Sequence, residues 1–401
     1  MSDKLNVLFI CNKSPWPPRE GGPIAMNNII EGVQEKGHNV KVLAINTNKY
    51  NFDPKEIPLS YKKKTGIELV YIDLGIKPTD AFFNLFTQKS YHVERFISKI
   101  FETKLTEILQ DEEYDIVQIE TLFMSPYIST IRKYSKASIV LRAHNIEHLI
   151  WKRVASITKN PFKKFYLSHL YRTLAKYENQ VISEYDGIVP ITDKDAVFFK
   201  NNSDIPVQTI SFGVDTGKLI KQENTQTEHA LFHIGAMNWI PNEEGIKWFL
   251  DSVWKKVVDK IGDTKLYLAG REMPQWLLDL KMKNILVVGE VPNAHEFINS
   301  KCISIAPLFS GSGIRIKIIE SMALGKAVIS TSIGAEGINY TNGKNIMIAD
   351  DASSFAEAII TLSNNKDKCI SIGQSAKKLI HEEHDKGKIA DRLIKFYGEL
   401  K

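Results

Sequence analysis

Short apolar runs rich in Val, Ile and Leu recur along the chain, and each is followed by a longer stretch in which apolar residues return at helical spacing. In the first half these runs are Val7 to Cys11, Val40 to Ile45, Glu68 to Ile72, Ile116 to Ile119, Ser138 to Arg142 and Gly187 to Ile191. A polar, turn-rich passage covers Gly217 to Glu228. The pattern then restarts with Leu231 to Ile234, Lys265 to Leu268, Ile285 to Val288, Ile303 to Ala306 and Val328 to Ser330. Strands alternating with helices predict parallel sheets covered on both faces, so the fold class is α/β. The restart predicts two Rossmann-like domains: residues 1–205, a linker over 206–228, and residues 229–385. From Phe355 onward the pattern is helical, with breaks near Lys366 and at Asp385 to Gly387. The last piece, 386–401, carries an apolar stripe through Ile389, Leu393 and Phe396 that needs a surface to cover.

The bulk numbers agree with two domains and narrow the class. A chain of 401 residues exceeds one ordinary core. Its 43% hydrophobic and 25% charged residues describe a globular protein. A formal charge of +5 gives little support to a nucleic-acid binder, and no nucleic-acid partner is expected. Cys11, Cys302 and Cys369 have no metal-ligand spacing, which implies a reducing compartment and no structural zinc. The opening MSDKLNVLFICNK enters a strand without a signal-peptide pattern, and no run of ~18 apolar residues suits a membrane span. A cytoplasmic protein is the expectation.

The stretch FSGSGIRIKIIESMALGKAVIST, residues 309 to 331, concentrates the chemistry. It reads strand, tight loop, helix, glycine stop, strand. In such a unit the loop lies at the carboxyl edge of a parallel sheet, where free helix N–H groups and the helix dipole favour an anion. Arg315 and Lys317 add full positive charge there, so a phosphate is the simplest ligand. Glu320, one turn on among Ile316, Ile318, Ile319 and Met322, needs donors such as ribose hydroxyls if it is not to remain an unpaired charge. The plain alternative is a surface Arg, a surface Lys and an ion pair along the helix.

With its neighbours, PLFSGSGIRIKIIESMALGKAVISTSIGAEGI resembles the donor-site segment of family 4 glycosyltransferases, retaining enzymes of the GT-B fold that use nucleotide-activated sugars. The family usually has two glutamates eight positions apart. Glu320 matches the second, and Ser312 stands where the first would be. The resemblance implies that Arg315 and Lys317 take the diphosphate, that Gly311, Ser312 and Gly313 face the sugar with their backbone, and that Glu320 holds the ribose. NVLFICNKSPWPPREGGPIAMNNIIEGVQEKGHNVKVLAI resembles the family's opening, with Gly21 and Gly22 letting backbone approach the donor at a second helix N-terminus. A flexible loop ahead of a helix starting after Pro23 is the plain alternative. In LRAHNIEHLIW the resemblance places His144 near the reacting carbon, a better match than His148; a packing histidine is the alternative. His144, Glu147 and His148 can also be drawn as a metal site, without zinc spacing to support it. In FHIGAMNWIPNEEGIKWFL, Asn238 and Asn242 replace the family's phosphate-binding cations, and Asn242 is equally explained as a helix N-cap. VVGEVPNAHEF resembles the turn that reads the nucleobase, making Val291 a candidate base contact.

The resemblance implies two facing domains with a cleft between them and a last helix packing back on the first domain. It implies a nucleotide-diphosphate sugar as substrate rather than cofactor, a glycan or lipid-linked acceptor, and no metal. A GT-B-fold epimerase and a degenerate, non-catalytic binding subunit remain as alternatives, the latter because of Ser312. A dinucleotide dehydrogenase is disfavoured because the first strand lacks a following G-x-G-x-x-G turn. Trp151 to Gln180 carries seven Lys/Arg against one Glu, with Phe162, Phe165, Tyr166, His169, Thr173 and Tyr177 on a helical stripe. That pattern suits contact with anionic membrane, or packing of the stripe into the first domain.

Overall fold

In the computed structural model, residues 4–18, 21–48, 52–75, 79, 83–220, 227–311 and 313–401 are described. They divide into two compact units, Met1–Gly213 with Ile389–Lys401, and Val214–Lys388.

The first unit is built on β1 (Asn6–Cys11), β2 (Asn39–Thr47), β3 (Glu68–Ile72), β4 (Ile116–Glu120), β5 (Ser138–Ala143) and β6 (Gly187–Pro190). These form one sheet in the order β3-β2-β1-β4-β5-β6, with parallel pairing throughout. Both faces are covered, which is why the strands read as continuous apolar runs. Leu8, Ile10, Val117 and Ile139 face one core with Phe101, while Val7, Phe9, Ile116 and Val140 face the other with Met26 and Ile30. Into this second core the helix Lys386–Glu399 inserts Ile389, Leu393, Phe396 and Tyr397, so the apolar stripe of the last helix finds its cover in the first unit. Ser138 Oγ donates to the Leu400 carbonyl at 2.9 Å, and Lys401 pairs with Asp115 at 2.6 Å.

The expected linker does not behave as one segment. Ile188 donates to the Pro206 carbonyl and Ile210 to that of Pro190, at 2.9 and 3.0 Å, and Ile210 is buried. Residues 206–213 therefore follow the outer edge of β6, whose backbone would otherwise lack partners. Residues from Val214 onward count with the second unit, and 221–226 lie outside the described residues.

The second unit repeats the plan with β7 (Glu228–Ile234), β8 (Leu266–Ala269), β9 (Ile285–Gly289), β10 (Lys301–Ala306), β11 (Ala327–Ser330) and β12 (Met347–Ile348), in the parallel order β12-β11-β10-β7-β8-β9. The edge strand β12 has two residues, too short to stand out in the hydrophobic pattern. Leu231, Ile246, Phe249, Trp254, Ile305 and Phe355 lie in its core. Helices Ala352–Asn364 and Lys366–Glu383 meet at Asn365, whose side chain accepts from the Lys368 N–H and so starts the second. No helix among the described residues is long and apolar enough to cross a membrane.

One close approach fixes the geometry that matters later. Helix Ile240–Phe249, which follows β7, lies against the turn after β10, and a Cβ on Gly245 would come within 1.9 Å of the Pro307 carbonyl oxygen. Backbone blocks the space, so Gly245→Ala forces the helix away at a cost of about 1–3 kcal/mol. Urea unfolding is expected to show this as a lowered midpoint, and an unchanged midpoint would mean that the helix has room to retreat.

Candidate functional site

In the second sheet the winding direction reverses between β10 and β7, and such a reversal opens a crevice at the carboxyl ends of the strands. The loop after β10 and the loop after β7 meet there. Gly311 and Gly313 have φ of 102° and 77°, in the left-handed region that other residues rarely enter. Ser312, between them, lies outside the described residues. The turn leads into the helix Ile316–Ala323, with Arg315 in extended conformation at the N-cap.

Arg315 is buried. Its Nη1 donates to the Gly313 carbonyl, and its guanidinium carbon stands 5.5 Å from the centre of the Trp239 ring. A side chain at Gly311 would meet Trp239 at 2.9 Å and Arg315 Nη2 at 3.1 Å. Two residues on, Lys317 Nζ donates to Asn242 Oδ1 at 2.5 Å, and Asn242 Nδ2 donates to the Ala236 carbonyl at 2.8 Å. Of the two alternatives for Asn242, the N-cap is therefore ruled out. Trp239 holds the N-cap position, and Asn242 lies inside the first turn, where its amide ties the β7 loop to Lys317.

Burial, and then the neighbouring Arg315 charge, push the Lys317 pKa down to about 7. His233, fully buried at the end of β7, has its Nδ1–H donated to the Ile305 carbonyl at 2.9 Å. Its Nε2 is thus proton-free, and burial followed by Lys317 holds it neutral. Glu320 faces His295, with Nε2 to Oε1 at 3.3 Å, and this hydrogen bond raises the His295 pKa. His295 sits on the helix Ala294–Asn299, capped by Asn293. Val291 occupies the turn between β9 and that helix, so the His295–Glu320 contact brings the turn bearing Val291 toward the helix bearing Glu320.

This arrangement can hold a particular kind of anion. Two cations and the unpaired N–H groups of a helix start suit a diphosphate, and a carboxylate one turn deeper suits a vicinal pair of hydroxyls.

The first unit has its own crevice between β1 and β4. Gly21 and Gly22 open the helix Gly21–Glu35, which begins at the carboxyl edge of β1. His144 lies just past β5, with Nε2 2.6 Å from Oε2 of the fully buried Glu120 at the end of β4. The carboxylate accepts, so Nε2 carries the proton and Nδ1 is the ring's other functional atom. Gln118 Nε2 donates to the second Glu120 oxygen at 2.6 Å, and Tyr397 Oη donates to Gln118 Oε1 at 2.5 Å. Arg142 Nε stands 3.7 Å from Glu120. Burial raises the Glu120 pKa, but His144, Arg142 and Gln118 outweigh it and hold the carboxylate below its usual range.

The metal drawing through His144, Glu147 and His148 is not supported by this geometry. His148 is committed to Glu178 at 2.6 Å while His144 is committed to Glu120. Among the described residues no group of three His, Cys, Asp or Glu is placed to hold a metal ion.

Sequence reasoning overlooked several residues that the structure brings in: Trp239, His233, His295, Glu120 and Gln118. Glu120 and Gln118 did leave a signal. They are two polar residues at alternate positions of an otherwise apolar strand, which places them side by side on one buried face.

Residues 228–365 match the family described as glycosyl transferases group 1. The match spans the sheet that carries Arg315, Lys317 and Glu320. The whole chain is similar to several solved structures. Sucrose-phosphate synthase from Thermosynechococcus elongatus is 15% identical, with 99% of each chain covered and a TM-score of 0.66. S. aureus TarM, in complex with fondaparinux, alpha-GlcNAc-glycerol and UDP, is 12% identical over 98% of this chain and 99% of that one, with a TM-score of 0.65. The architecture is the GT-B fold of these structures. A protein in the cps region of Klebsiella pneumoniae is 26% identical over 97% of this chain and 99% of its own length.

Lys317 makes anion binding at this helix start testable by pH. In the free protein its ammonium is half deprotonated at about pH 7. A bound diphosphate favours the charged form and lifts the pKa, so binding takes up a proton and affinity falls as pH rises. Between about pH 7.5 and 9 calorimetry with a nucleoside diphosphate should show a decline approaching tenfold per unit, absent in Lys317→Met. A flat wild-type profile would put Lys317 outside the anion site.

Proposed function

We propose that this protein is a retaining glycosyltransferase that moves a sugar from a nucleotide-diphosphate sugar to a hydroxyl of a glycan or lipid-linked acceptor. One observation carries the reading: Arg315 and Lys317 share the first turn of one helix start and Glu320 lies one turn deeper, at the reversal point of the second unit's sheet. Arg315 and Lys317 stabilise the diphosphate as it leaves, Gly311, Ser312 and Gly313 offer backbone to the sugar, Glu320 holds the ribose, and Val291 meets the base. UDP in the TarM complex supports a uridine nucleotide as the first probe, and the cps region of the Klebsiella relative supports a role in bacterial surface-polysaccharide synthesis.

The chemistry follows from charge. As the bond from the anomeric carbon to phosphate oxygen breaks, negative charge grows on the diphosphate, where the two cations and the helix N–H groups await it. The acceptor attacks from the face the leaving group departs, and a phosphate oxygen takes its proton, so no protein carboxylate needs to act as base. The nucleotide sugar is a substrate, no further cofactor is required, and activity should persist in EDTA. Gly21 and Gly22 bring backbone to the donor. His144 acts at the sugar near the reacting carbon, with Glu120 fixing its tautomer. The protein works in the cytoplasm.

Arg315→Ala or Lys317→Ala is expected to lower turnover by ~10²–10³-fold while the fold survives. Glu320→Ala is expected to weaken free nucleoside diphosphate by roughly tenfold or more, the worth of a hydrogen bond to a charged group. Wild-type turnover in both cation variants would refute the assignment. Donor consumed by isomerisation without an acceptor would instead favour an epimerase.

His144→Ala separates chemistry from packing. A group acting near the reacting carbon lowers the transfer rate and leaves nucleotide affinity and melting temperature nearly unchanged. A packing histidine lowers the melting temperature and leaves turnover per folded molecule intact.

A further inference from the structure

Helices Glu147–Ile157 and Pro161–Val181 form a hairpin on the first unit. Its inner side is filled: Ala155, Leu167 and Leu170 are buried with Tyr91, and Leu174 joins the main core. The stripe predicted along the second helix accordingly divides. Thr173 is buried and Tyr177 packs against the core, while Phe162 and Phe165 stay outside.

At the turn of the hairpin Ile157, Phe162 and Phe165 are 73%, 85% and 69% exposed. Folding normally covers side chains of this size, and these cannot turn inward because the inner side is occupied. Lys152, Lys159, Lys163 and Lys164 are exposed among them. From Leu149 to Tyr177 the sequence has no Asp or Glu at all. Asn160, the amide at the turn, is engaged in capping its own helix through the Lys163 N–H at 2.9 Å.

We propose that this hairpin turn docks on an anionic lipid bilayer, with Ile157, Phe162 and Phe165 entering the boundary between headgroups and acyl chains and the lysines meeting lipid phosphates. The charge pattern selects this occupant. Single-sign cations around apolar tips match a surface that is negative outside and apolar beneath. A second copy of the same face would set lysines against lysines. The inference is independent of the donor-site reading, since it rests on the first unit alone.

Co-sedimentation with vesicles tests it, comparing pure phosphatidylcholine with phosphatidylcholine containing roughly one part in three phosphatidylglycerol. Wild type is expected to bind the anionic vesicles at least about tenfold more strongly, with the difference shrinking at high salt. Ile157→Ser/Phe162→Ser/Phe165→Ser and, separately, Lys163→Glu/Lys164→Glu are each expected to cut that binding by about tenfold or more. The substituted side chains are exposed, and glutamates suit the first turn of a helix, so melting temperature and UDP affinity should not change. Three results would overturn the proposal: wild-type binding that ignores phosphatidylglycerol, variants that bind as wild type does, or a wild-type dimer that the serine variant converts to monomer while neither binds vesicles. Failure of the donor-site reading would show separately, as absent nucleotide affinity in a protein that still binds vesicles.

Discussion

Two like charges two residues apart at a confined helix start are the constraint around which the second unit is organised. Arg315 and Lys317 repel each other, and burial removes much of the water that would screen them. Without support the two side chains would swing apart toward solvent. The structure holds them with dipoles: the Gly313 carbonyl and the Trp239 ring for Arg315, and the Asn242 amide oxygen for Lys317. Dipoles of this kind fix the position of a charged group. Burial first, and the Arg315 charge second, keep the Lys317 pKa low, and an incoming anion raises it. The close contact of Gly245 with Pro307 belongs to the same arrangement, because it presses the helix that bears Asn242 against the loop that bears Arg315.

The first unit poses the opposite problem at the equivalent place in its sheet. There a carboxylate is buried completely, and full partnership keeps it ionised. Glu120 receives hydrogen bonds from Gln118 and His144 and the field of Arg142, which pairs with it across the β4–β5 ladder. A buried charge with partners on several sides stays charged and immobile. His144 is therefore oriented by a rigid strand rather than by its own loop, which is the condition for one ring nitrogen to present consistently.

How much of this the sequence discloses depends on the range of each interaction. Strand positions, helix breaks and the glycine-punctuated loop are local, and the eleven expected strands all have counterparts near their expected ends. The twelfth, Met347–Ile348, carries too few residues to make a pattern. Arg315, Lys317 and Glu320 lie within one local motif, so they too were legible. Contacts between distant segments were not. A helix cap is the local alternative for Asn242, whereas its partner Lys317 lies 75 positions away. Trp239 and His295 acquire meaning only when loops after β7, β9 and β10 converge, and convergence is a property of strand order. On the hairpin, helical spacing put six residues on one stripe, but only packing could show that its far end stays in water.

Tyr397 has a wider bearing than its place in the last helix suggests. Its hydroxyl holds Gln118, Gln118 holds Glu120, and Glu120 holds His144, so one line of hydrogen bonds runs from that helix to the edge of the first sheet. The helix joins the sheet only after the whole second unit has been synthesised. A ribosome-bound chain that has emerged only as far as Gly213 would therefore have every strand of the first sheet, yet lack the hydroxyl that anchors this line. The first unit acquires its finished polar interior last.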